Sequence, residues 1–416
     1  MSGLTVLHTS DWHLGHQLYR KRRDQEFAAF FDWLSQTLHE KKVDVLLVAG
    51  DVFDVGNPGT GAQQLYYAFL AKIVSLGVRH VVIVAGNHDS PAFLNAPSTV
   101  LENLDIHVIG TCGAQPEDEI LVLRDAGGKP EMLVCAAPFL REGDICRFIP
   151  GESHAEKDQR LLDGLRQHFE RLAETAAGMR AEYGDSIPVI ATAHLFTAGV
   201  EDEKEDSVRD IYRGNMGCIP LHYFPDTFDY VALGHIHKPY AVDEKGLRRY
   251  SGSPLPLTFA EAKYEKKVLL VHFGDSEPEV ENITVPTFQK LRTIEGNSAD
   301  ILAQLAELAA SSKNSEDSLW LEISHDGTDS PSGLPANCQA VVDGSNLEIL
   351  CVKTSGYRNA PESLEMDRGL DDLEPVEMFR RCLIQQNVPE DEWQDLEASF
   401  QELYTLTIES DEQCES

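Results

Sequence analysis

Five short clusters carry the side chains that could do chemistry. They are Asp11-Trp12-His13, Gly50-Asp51-Val52-Phe53-Asp54, Gly86-Asn87-His88-Asp89, His194 and Gly234-His235-Ile236-His237. Together they offer carboxylates, imidazoles and one amide, a mixture that suits divalent ions of intermediate hardness such as Mn²⁺, Fe²⁺ or Zn²⁺. In an extended segment, the D-x-H and H-x-H spacings place alternate side chains on one side, so each pair can hold a metal ion from one strand end.

Each cluster ends or directly follows an apolar run of strand length. The runs are LTVLHT (4–9), VDVLLVAG (43–50), HVVIVAG (80–86), PVIATAH (188–194) and YVALGH (230–235). Because they scarcely alternate, they predict strands buried on both faces. Helical patterns at 27–41 and 62–77 separate the first three runs, which indicates an α/β layered fold. Sites in open α/β sheets form at the carboxyl ends of strands, so we expect the five clusters to meet at one edge.

The remainder of the chain divides by pattern. A first domain over 1–285 ends in short β-rich runs. Residues 286–357 predict a small α+β domain, with a helix at 299–312 and strands at 318–324 and 346–353. An acidic linker is expected at 358–374, followed by a pair of helices within 375–410.

Composition excludes several classes of protein. The 416 residues contain no apolar stretch of about 20 residues and no signal-peptide pattern, so we expect a cytoplasmic protein without a membrane span. The eight cysteines form no CxxC pair, which argues against a disulfide framework. The net charge is −34, and residues 361–416 hold 17 acidic side chains against three arginines. That tail is expected to lie away from any polyanion, although solubility or salt adaptation also accounts for the charge.

The order D-x-H, G-D, G-N-H-D, H and G-H-x-H resembles the calcineurin-like metallophosphoesterase superfamily from residue 4 to about 260. The segments LHTSDWHLG, VAGDVFD, AGNHDS, ALGHIH and YSGSPLPLTF are similar to the SbcCD family of double-strand-break repair nucleases. VRDIYRG (208–214) and VEMFRRCL (376–383) extend the likeness over nearly the whole chain. The resemblance implies a metallophosphoesterase β-sandwich flanked by helices, a small α+β DNA-capping domain and a C-terminal helical pair.

The resemblance also implies two divalent metal ions, with manganese expected. The first would be held by Asp11, His13, Asp51 and His237, and the second by Asp51, Asn87, His194 and His235. A metal-activated hydroxide would attack the phosphodiester. The implied enzyme is a 3′-5′ double-strand exonuclease and single-strand or hairpin endonuclease. It would belong to an ATP-dependent complex that acts in DNA repair, replication and recombination.

Three neighbours of these ligands are assigned other roles. His88 matches a family histidine that approaches substrate without binding metal, and an imidazole can donate a proton to the leaving oxygen. A purely supporting role is the alternative. In related phosphatases an aspartate three residues after the bridging one orients that histidine, so Asp54 is expected to orient His88. Asp89 is expected to accept hydrogen bonds from backbone amides instead of meeting substrate.

The most basic run follows the first cluster. It supplies the expected DNA contacts Tyr19, Arg20, Lys21, Arg22 and Arg23. Such a loop beside a two-metal centre favours binding to the DNA backbone, although a solvated charge cluster at a helix start is the alternative. Ser/Thr phosphatases read GDxxDRG, but here Val55-Gly56 follow Asp54, so the phosphate-gripping arginine is missing. A phosphoesterase for small nucleotides or phosphoproteins is the second hypothesis. A non-catalytic scaffold is the third, disfavoured because every expected ligand type is present.

Two C-terminal helices are predicted at 375–386 and 390–408. Their apolar faces consist of Val376, Phe379, Leu383, Trp393, Leu396, Phe400 and Leu403. This spacing is typical of one face of a helix. The pair could fold back on the small domain, but the resemblance implies that it binds the coiled coil of an SbcC-like SMC-type ATPase. Double-stranded and hairpin DNA, a homodimer within a heterotetramer and a nucleoid-associated location are implied in the same way.

Overall fold

The computed structural model describes residues 3–147, 149, 151–197, 219–312 and 318–354, together with 379, 393 and 400. The chain forms two units, Met1–Ser355 and Gly356–Ser416. The described strands are β1 (Leu4–Thr9), β2 (Gln17–Leu18), β3 (Lys21–Arg22), β4 (Val45–Ala49), β5 (His80–Val84), β6 (Ile106–Ile109), β7 (Ile120–Arg124), β8 (Pro130–Cys135), β9 (Val189–His194), β10 (Tyr230–Gly234), β11 (Tyr240–Ala241), β12 (Arg248–Tyr250), β13 (Lys267–Phe273), β14 (Glu279–Thr284), β15 (Lys290–Gly296), β16 (Leu319–His325) and β17 (Leu347–Thr354). The described α-helices are α1 (Asp24–Glu40), α2 (Thr60–Ser75), α3 (Pro91–Asn95), α4 (Ser98–Glu102), α5 (Glu142–Ile145), α6 (His154–Tyr183), α7 (Ser298–Ser312) and α8 (Leu334–Val342).

Two six-stranded sheets make up most of the first unit. Their strand orders are β14-β13-β1-β4-β5-β6 and β11-β12-β10-β9-β8-β7. Strands β1, β4, β5 and β6 run parallel in the first sheet, as do β8, β9, β10 and β12 in the second. The predicted strand runs are β1, β4, β5, β9 and β10, and their residues fall within two positions of the predicted bounds.

The two sheets pack face to face as a sandwich. Val6, Leu47 and Val84 of the first sheet lie in one buried cluster with Ile190 and Ala232 of the second. Helices α1 and α2 cover the outer face of the first sheet, and α6 covers that of the second. Each central strand is therefore buried on both faces, which explains the lack of alternation in its sequence. The predicted α/β sandwich is confirmed.

Helix α6, at 30 residues, was not among the predicted helices. Its start carries a capping box, in which Ser153 accepts from the backbone of Glu156 and the Glu156 side chain accepts from the Ser153 backbone. The S-x-x-E spacing at 153–156 was therefore a usable signal for this helix.

A third sheet, β15-β16-β17, is parallel and packs with α7 and α8 around its own apolar cluster. Its helix and strands lie where the small α+β domain was predicted, although the boundary at residue 286 stays a prediction. Trp320 of β16 joins Leu18 and Phe259 in a further buried cluster, so this sheet packs against the β2–β3 hairpin. Among the described residues, no helix has the length and apolar character needed to cross a membrane.

Candidate metal centre

All five polar clusters meet at the carboxyl ends of the strands, as the sequence predicted. Three overlapping groups bring their ligand atoms within 4.8 Å of one another: Asp11 with His13 and His237, His13 with Asp51 and His88, and Asp51 with His194 and His235. Asp51 Oδ2 lies 3.5 Å from His13 Nε2 and 3.2 Å from His194 Nε2. One carboxylate therefore stands between the two expected ligand sets, where a bridging ligand would stand.

The backbone at these residues is in an uncommon conformation. Positive φ angles occur at four of the expected ligands: Asp11 (52°), His13 (49°), Asp51 (49°) and His235 (97°). The two loops after β1 and β4 hold each other, since Asp11 N–H donates to the Gly50 carbonyl and His13 N–H to the Asp51 carbonyl, both at 3.0 Å. Such conformations cost of order 1–3 kcal/mol each and cluster at functional sites.

At two glycines of the motifs, any larger residue is excluded by steric clash. A Cβ at Gly50, whose φ is +92°, would lie 2.2 Å from His194 Nδ1. A Cβ at Gly86 would lie 2.1 Å from Asp51 Oδ1. Neither distance is possible between non-bonded atoms, so any side chain at either position would displace an expected ligand.

The histidines of the first metal set are held by carboxylates. His13 Nδ1 lies 3.2 Å from Asp54 Oδ1, and His237 Nδ1 lies 3.0 Å from Glu261 Oε1. A carboxylate on one ring nitrogen fixes the tautomer and the ring, and leaves the other nitrogen free for a metal ion. Nε2 of both histidines is thus the atom available to the site.

Glu261 and Lys266 form a buried support that sequence reasoning missed. Lys266 Nζ donates to Glu261 Oε2 at 2.6 Å, to Ser253 Oγ at 2.9 Å and to the His237 carbonyl at 3.1 Å. Burial raises the pKa of Glu261, but Lys266 and His237 outweigh it and hold that pKa well below its usual range. Burial lowers the pKa of His237, and Glu261 more than reverses this, so the net shift is upward. The carboxylate anchoring His237 therefore stays charged.

In the second metal set, the backbone anchors one histidine, and the amide of another expected ligand contacts both histidines. His194 Nδ1 lies 3.0 Å from the carbonyl oxygen of Ala49, at the end of β4. The Asn87 amide oxygen lies 3.0 Å from His235 Nδ1 and 3.1 Å from His194 Nε2. Asn87 therefore reaches both histidines with which it was predicted to share a metal ion.

The protonation of His13, His235 and Asp51 fits the binding of divalent cations. Burial lowers the pKa of His13 and of His235, which favours the neutral imidazole that ligates metal. Nε2 of each is buried and has no hydrogen-bond partner among the described residues. Burial raises the pKa of Asp51, but His194 and His13 outweigh it, so this pKa is lowered and the carboxylate is charged. Buried nitrogen lone pairs without partners around an ionised carboxylate are what a metal ion would satisfy.

His88 lies at the rim of this group, and Asp54 contacts it through its backbone carbonyl instead of its carboxylate. His88 Nδ1 lies 2.8 Å from the backbone carbonyl of Asp54, and its own N–H donates to Asp51 Oδ1 at 2.9 Å. The Asp54 carboxylate instead contacts His13 and, at 3.1 Å, His16 Nδ1. The Asp54 side chain faces the loop after β1, so the orienting role of Asp54 stays a prediction that would act through its backbone. His16, absent from the predicted site, is held on its other side by the Leu257 carbonyl at 3.0 Å.

The structural role predicted for Asp89 is confirmed. Its carboxylate is 3% exposed and accepts from the backbone N–H groups of Val52, Phe53 and Gly86 at 2.9–3.0 Å. Asp89 thus joins the loops after β4 and β5, which carry Asp51 and Asn87.

The basic run is largely occupied by contacts within the protein. Arg23 is 1% exposed and donates to both carboxylate oxygens of Glu26 and to the Pro256 carbonyl, so the prediction that it contacts DNA is wrong. Tyr19 donates to Glu322, at 3.0 Å, in the third sheet.

Two further members of the run have acidic partners. Lys21 pairs with Glu348, and Arg22 pairs with Asp24 at 2.5 Å. Arg22 keeps a 70% exposed side chain, and Arg20 is exposed. These two arginines stay accessible to a polyanion.

Most of the predicted C-terminal apolar face lies outside the described residues: Val376, Leu383, Leu396 and Leu403. Phe379, Trp393 and Phe400 are helical and partly buried. The rings of Phe379 and Phe400 stack with centroids 4.3 Å apart and an interplanar angle of 7°. Two members of the expected partner-binding face therefore pack on each other.

The chain matches two known protein families, and both matches agree with the fold and the site described above. Residues 4–239 match the family of calcineurin-like phosphoesterases, and residues 287–387 match the type 5 capsule protein repressor C-terminal domain. The class that fold and site define is the calcineurin-like phosphoesterases, which are metal-dependent enzymes that use divalent ions. The predicted enzyme class, a metal-dependent phosphodiesterase, is confirmed.

Individual relatives narrow the class. The SbcD protein of the SbcCD nuclease from Escherichia coli strain K12 is 37% identical over 407 residues, covering 97% of this chain and 98% of that protein. The SbcD protein from Rhodobacter capsulatus is 39% identical over 274 residues, covering 64% and 66%. The one from Bacillus subtilis is 32% identical over 277 residues, covering 66% and 67%. The chain belongs to the SbcD family of nuclease subunits, as its motifs indicated.

Proposed function

We propose that this protein is the nuclease subunit of an SbcCD complex and cleaves DNA phosphodiesters with two Mn²⁺ ions. The activities would be 3′-5′ exonuclease on double strands and endonuclease on single strands and hairpins. The relative from Escherichia coli, named as a nuclease subunit, aligns along nearly the full length of both chains. The observation that carries the proposal is the position of Asp51 Oδ2 between His13 Nε2 and His194 Nε2.

Two ligand sets share that carboxylate. The first ion would be held by Asp11, His13, Asp51 and His237, and the second by Asp51, Asn87, His194 and His235. Bound divalent ions supply Lewis-acid chemistry, since they polarise a phosphodiester and acidify water. The anchored Nδ1 atoms of His13, His194 and His237 hold these imidazoles in fixed orientations, so little reorganisation is needed when substrate binds.

His88 is proposed to protonate the leaving oxygen. Its Nδ1–H donates to the Asp54 carbonyl, which can only accept, so Nε2 is the atom left to carry or release a proton. The backbone of His88 is also fixed by Asp51. The ring therefore stands beside the metal centre in a defined orientation without needing to bind an ion.

DNA would reach the centre past the accessible part of the basic run. Arg20 and Arg22 are exposed, whereas Tyr19 and Lys21 would first have to leave Glu322 and Glu348. The C-terminal helices are proposed to bind the coiled coil of the SbcC-like ATPase, with two copies of each subunit in a heterotetramer. A nucleoid-associated place in the cytoplasm would follow from this substrate.

The purified protein should be incubated with hairpin DNA and Mn²⁺, with and without its ATPase partner and ATP. We expect metal-dependent cleavage that the partner and ATP increase. Asp51→Asn should abolish it, whereas Asp32→Asn, at an exposed position on α1, should not. Faster hydrolysis of a nitrophenyl phosphate ester than of DNA, with no gain from the partner, would contradict the proposal.

A further inference from the structure

A second group of histidine and aspartate side chains lies at the other end of the first sheet. His80 begins β5, and Asp105 and His107 lie at the start of the neighbouring β6. Ligand atoms of the three lie within 4.8 Å of one another. His80 and Asn87 stand at opposite ends of β5, roughly 20 Å apart at the ~3.3 Å rise of a strand. The group is therefore separate from the metal centre.

His80 presents an unused metal-binding atom. Its side chain is buried, with 6% of the residue exposed, and Nε2 lies 2.9 Å from the Arg124 carbonyl oxygen. Because a carbonyl only accepts, Nε2 carries the proton and Nδ1 keeps its lone pair. Nδ1 is buried and has no hydrogen-bond partner among the described residues. A buried acceptor without a partner lowers the stability of the fold by about 1–3 kcal/mol, unless a donor or a metal ion binds to it.

The other two side chains are placed to complete a site. The His107 ring lies 6.4 Å from the His80 ring, centroid to centroid. Burial, with the neighbouring His80, lowers the pKa of His107, so this imidazole is neutral as a ligand must be. Asp105 is held beside β5 because its carbonyl accepts from Val81 N–H at 2.9 Å.

We propose that His80, Asp105 and His107 bind a divalent transition metal ion, with Zn²⁺ as the best fit. Two imidazoles and one carboxylate are a common zinc ligand set, and three protein ligands leave the fourth position to water. The ion would join the starts of β5 and β6. Since His80 also bonds Arg124 at the end of β7, in the second sheet, the ion would stabilise the sandwich at the end away from the metal centre.

The test compares zinc content among variants of the full chain, prepared without a histidine tag and dialysed against the same free Zn²⁺. His107→Ala and Asp105→Ala each remove one ligand at partly or fully exposed positions, so the fold should persist. His39→Ala, at an exposed position on α1, is the matched control. Zinc held by the metal centre is common to all four proteins and cancels in the comparison.

We expect each ligand variant to bind one zinc ion per chain fewer than the wild type and the control. Both variants should also lose part of the rise in melting temperature that Zn²⁺ produces in the wild type. Their Mn²⁺-dependent phosphodiesterase activity should equal that of the wild type, because the metal centre is untouched. Equal zinc content in all four proteins would overturn the proposal.

Discussion

The two expected ligand sets, or halves, of the candidate metal centre each contain two histidines, but the histidines are held in place differently. In the first half, His13 and His237 are anchored by the carboxylates of Asp54 and Glu261. In the second half, His194 is anchored by the backbone carbonyl of Ala49 in β4, and the Asn87 amide oxygen, itself an expected ligand, lies beside His235 Nδ1. A carboxylate anchor adds charge and can be replaced by mutation, whereas a strand carbonyl cannot. Affinity for the first ion should therefore be tunable by substituting the anchors of its histidines, whereas the anchor of His194 in the second set is a backbone group that no substitution removes.

The largest effect is expected where the halves meet. Asp51→Asn removes the charge that both ligand sets share, so both ions should bind weakly. DNA cleavage should fall by about 10³-fold or more, since several kcal/mol of transition-state stabilisation is lost. Metal content and cleavage rate measure this together. A variant that keeps two tightly bound ions would show that the halves do not share Asp51.

A change outside both halves should separate catalysis from metal binding. His88→Gln removes the proposed proton donor and no ligand, so two Mn²⁺ ions should stay bound while the cleavage rate falls by about 10²–10⁴-fold. The measurement pairs single-turnover DNA cleavage with the metal content of the same sample. Wild-type cleavage would refute the role of His88, and the loss of one ion would make His88 a ligand.

Substitution of a carboxylate anchor tests directly whether the two halves of the site are supported differently. Glu261→Gln should weaken binding of the first ion by about 10–100-fold and leave the second unchanged. It also leaves Lys266 buried without its charge partner, which costs about 3–5 kcal/mol. Calorimetric Mn²⁺ titration and denaturant unfolding measure the two effects.

A double variant tells the two effects of Glu261 apart. Adding Lys266→Met to Glu261→Gln removes the unpaired buried charge, so stability should largely return while the affinity for the first ion stays low. If both the stability and the affinity for the first ion recovered, Glu261 would act only through folding. That result would contradict an anchoring role for its carboxylate.

The smallest effect is expected at Asp54. Its side chain is 27% exposed and is shared between His13 and His16. In Asp54→Asn the amide oxygen can still accept from His13, so affinity for the first ion should drop by less than about tenfold. His16→Gln serves as the matched control, because it removes the other partner of Asp54 and no expected ligand. If Asp54→Asn lowered the affinity for the first ion as much as Glu261→Gln does, exposure to solvent would not weaken such an anchor.

The expected ligands could be predicted from the sequence, whereas the residues that anchor them could not. The strands and the clustering of the expected ligands were predictable because each of these residues lies within a few positions of its strand end, and parallel strands bring such ends together. Glu261 was not, since it reaches His237 across 24 positions and follows no strand. The burial of Arg23 depends on the Pro256 carbonyl, which is even more distant in sequence. Local patterns therefore predicted which side chains come together, and only the tertiary structure revealed the residues that hold them in place.

The central claim is that two ions share Asp51, and electron paramagnetic resonance of the Mn²⁺-loaded protein tests it most directly. Two Mn²⁺ ions bridged by one carboxylate couple magnetically, so we predict the spectrum of an exchange-coupled pair at two ions per chain. In Glu261→Gln at limiting Mn²⁺, the spectrum should be that of a single ion in the second half. Two ions per wild-type chain without coupling, or saturation at one ion, would contradict the account.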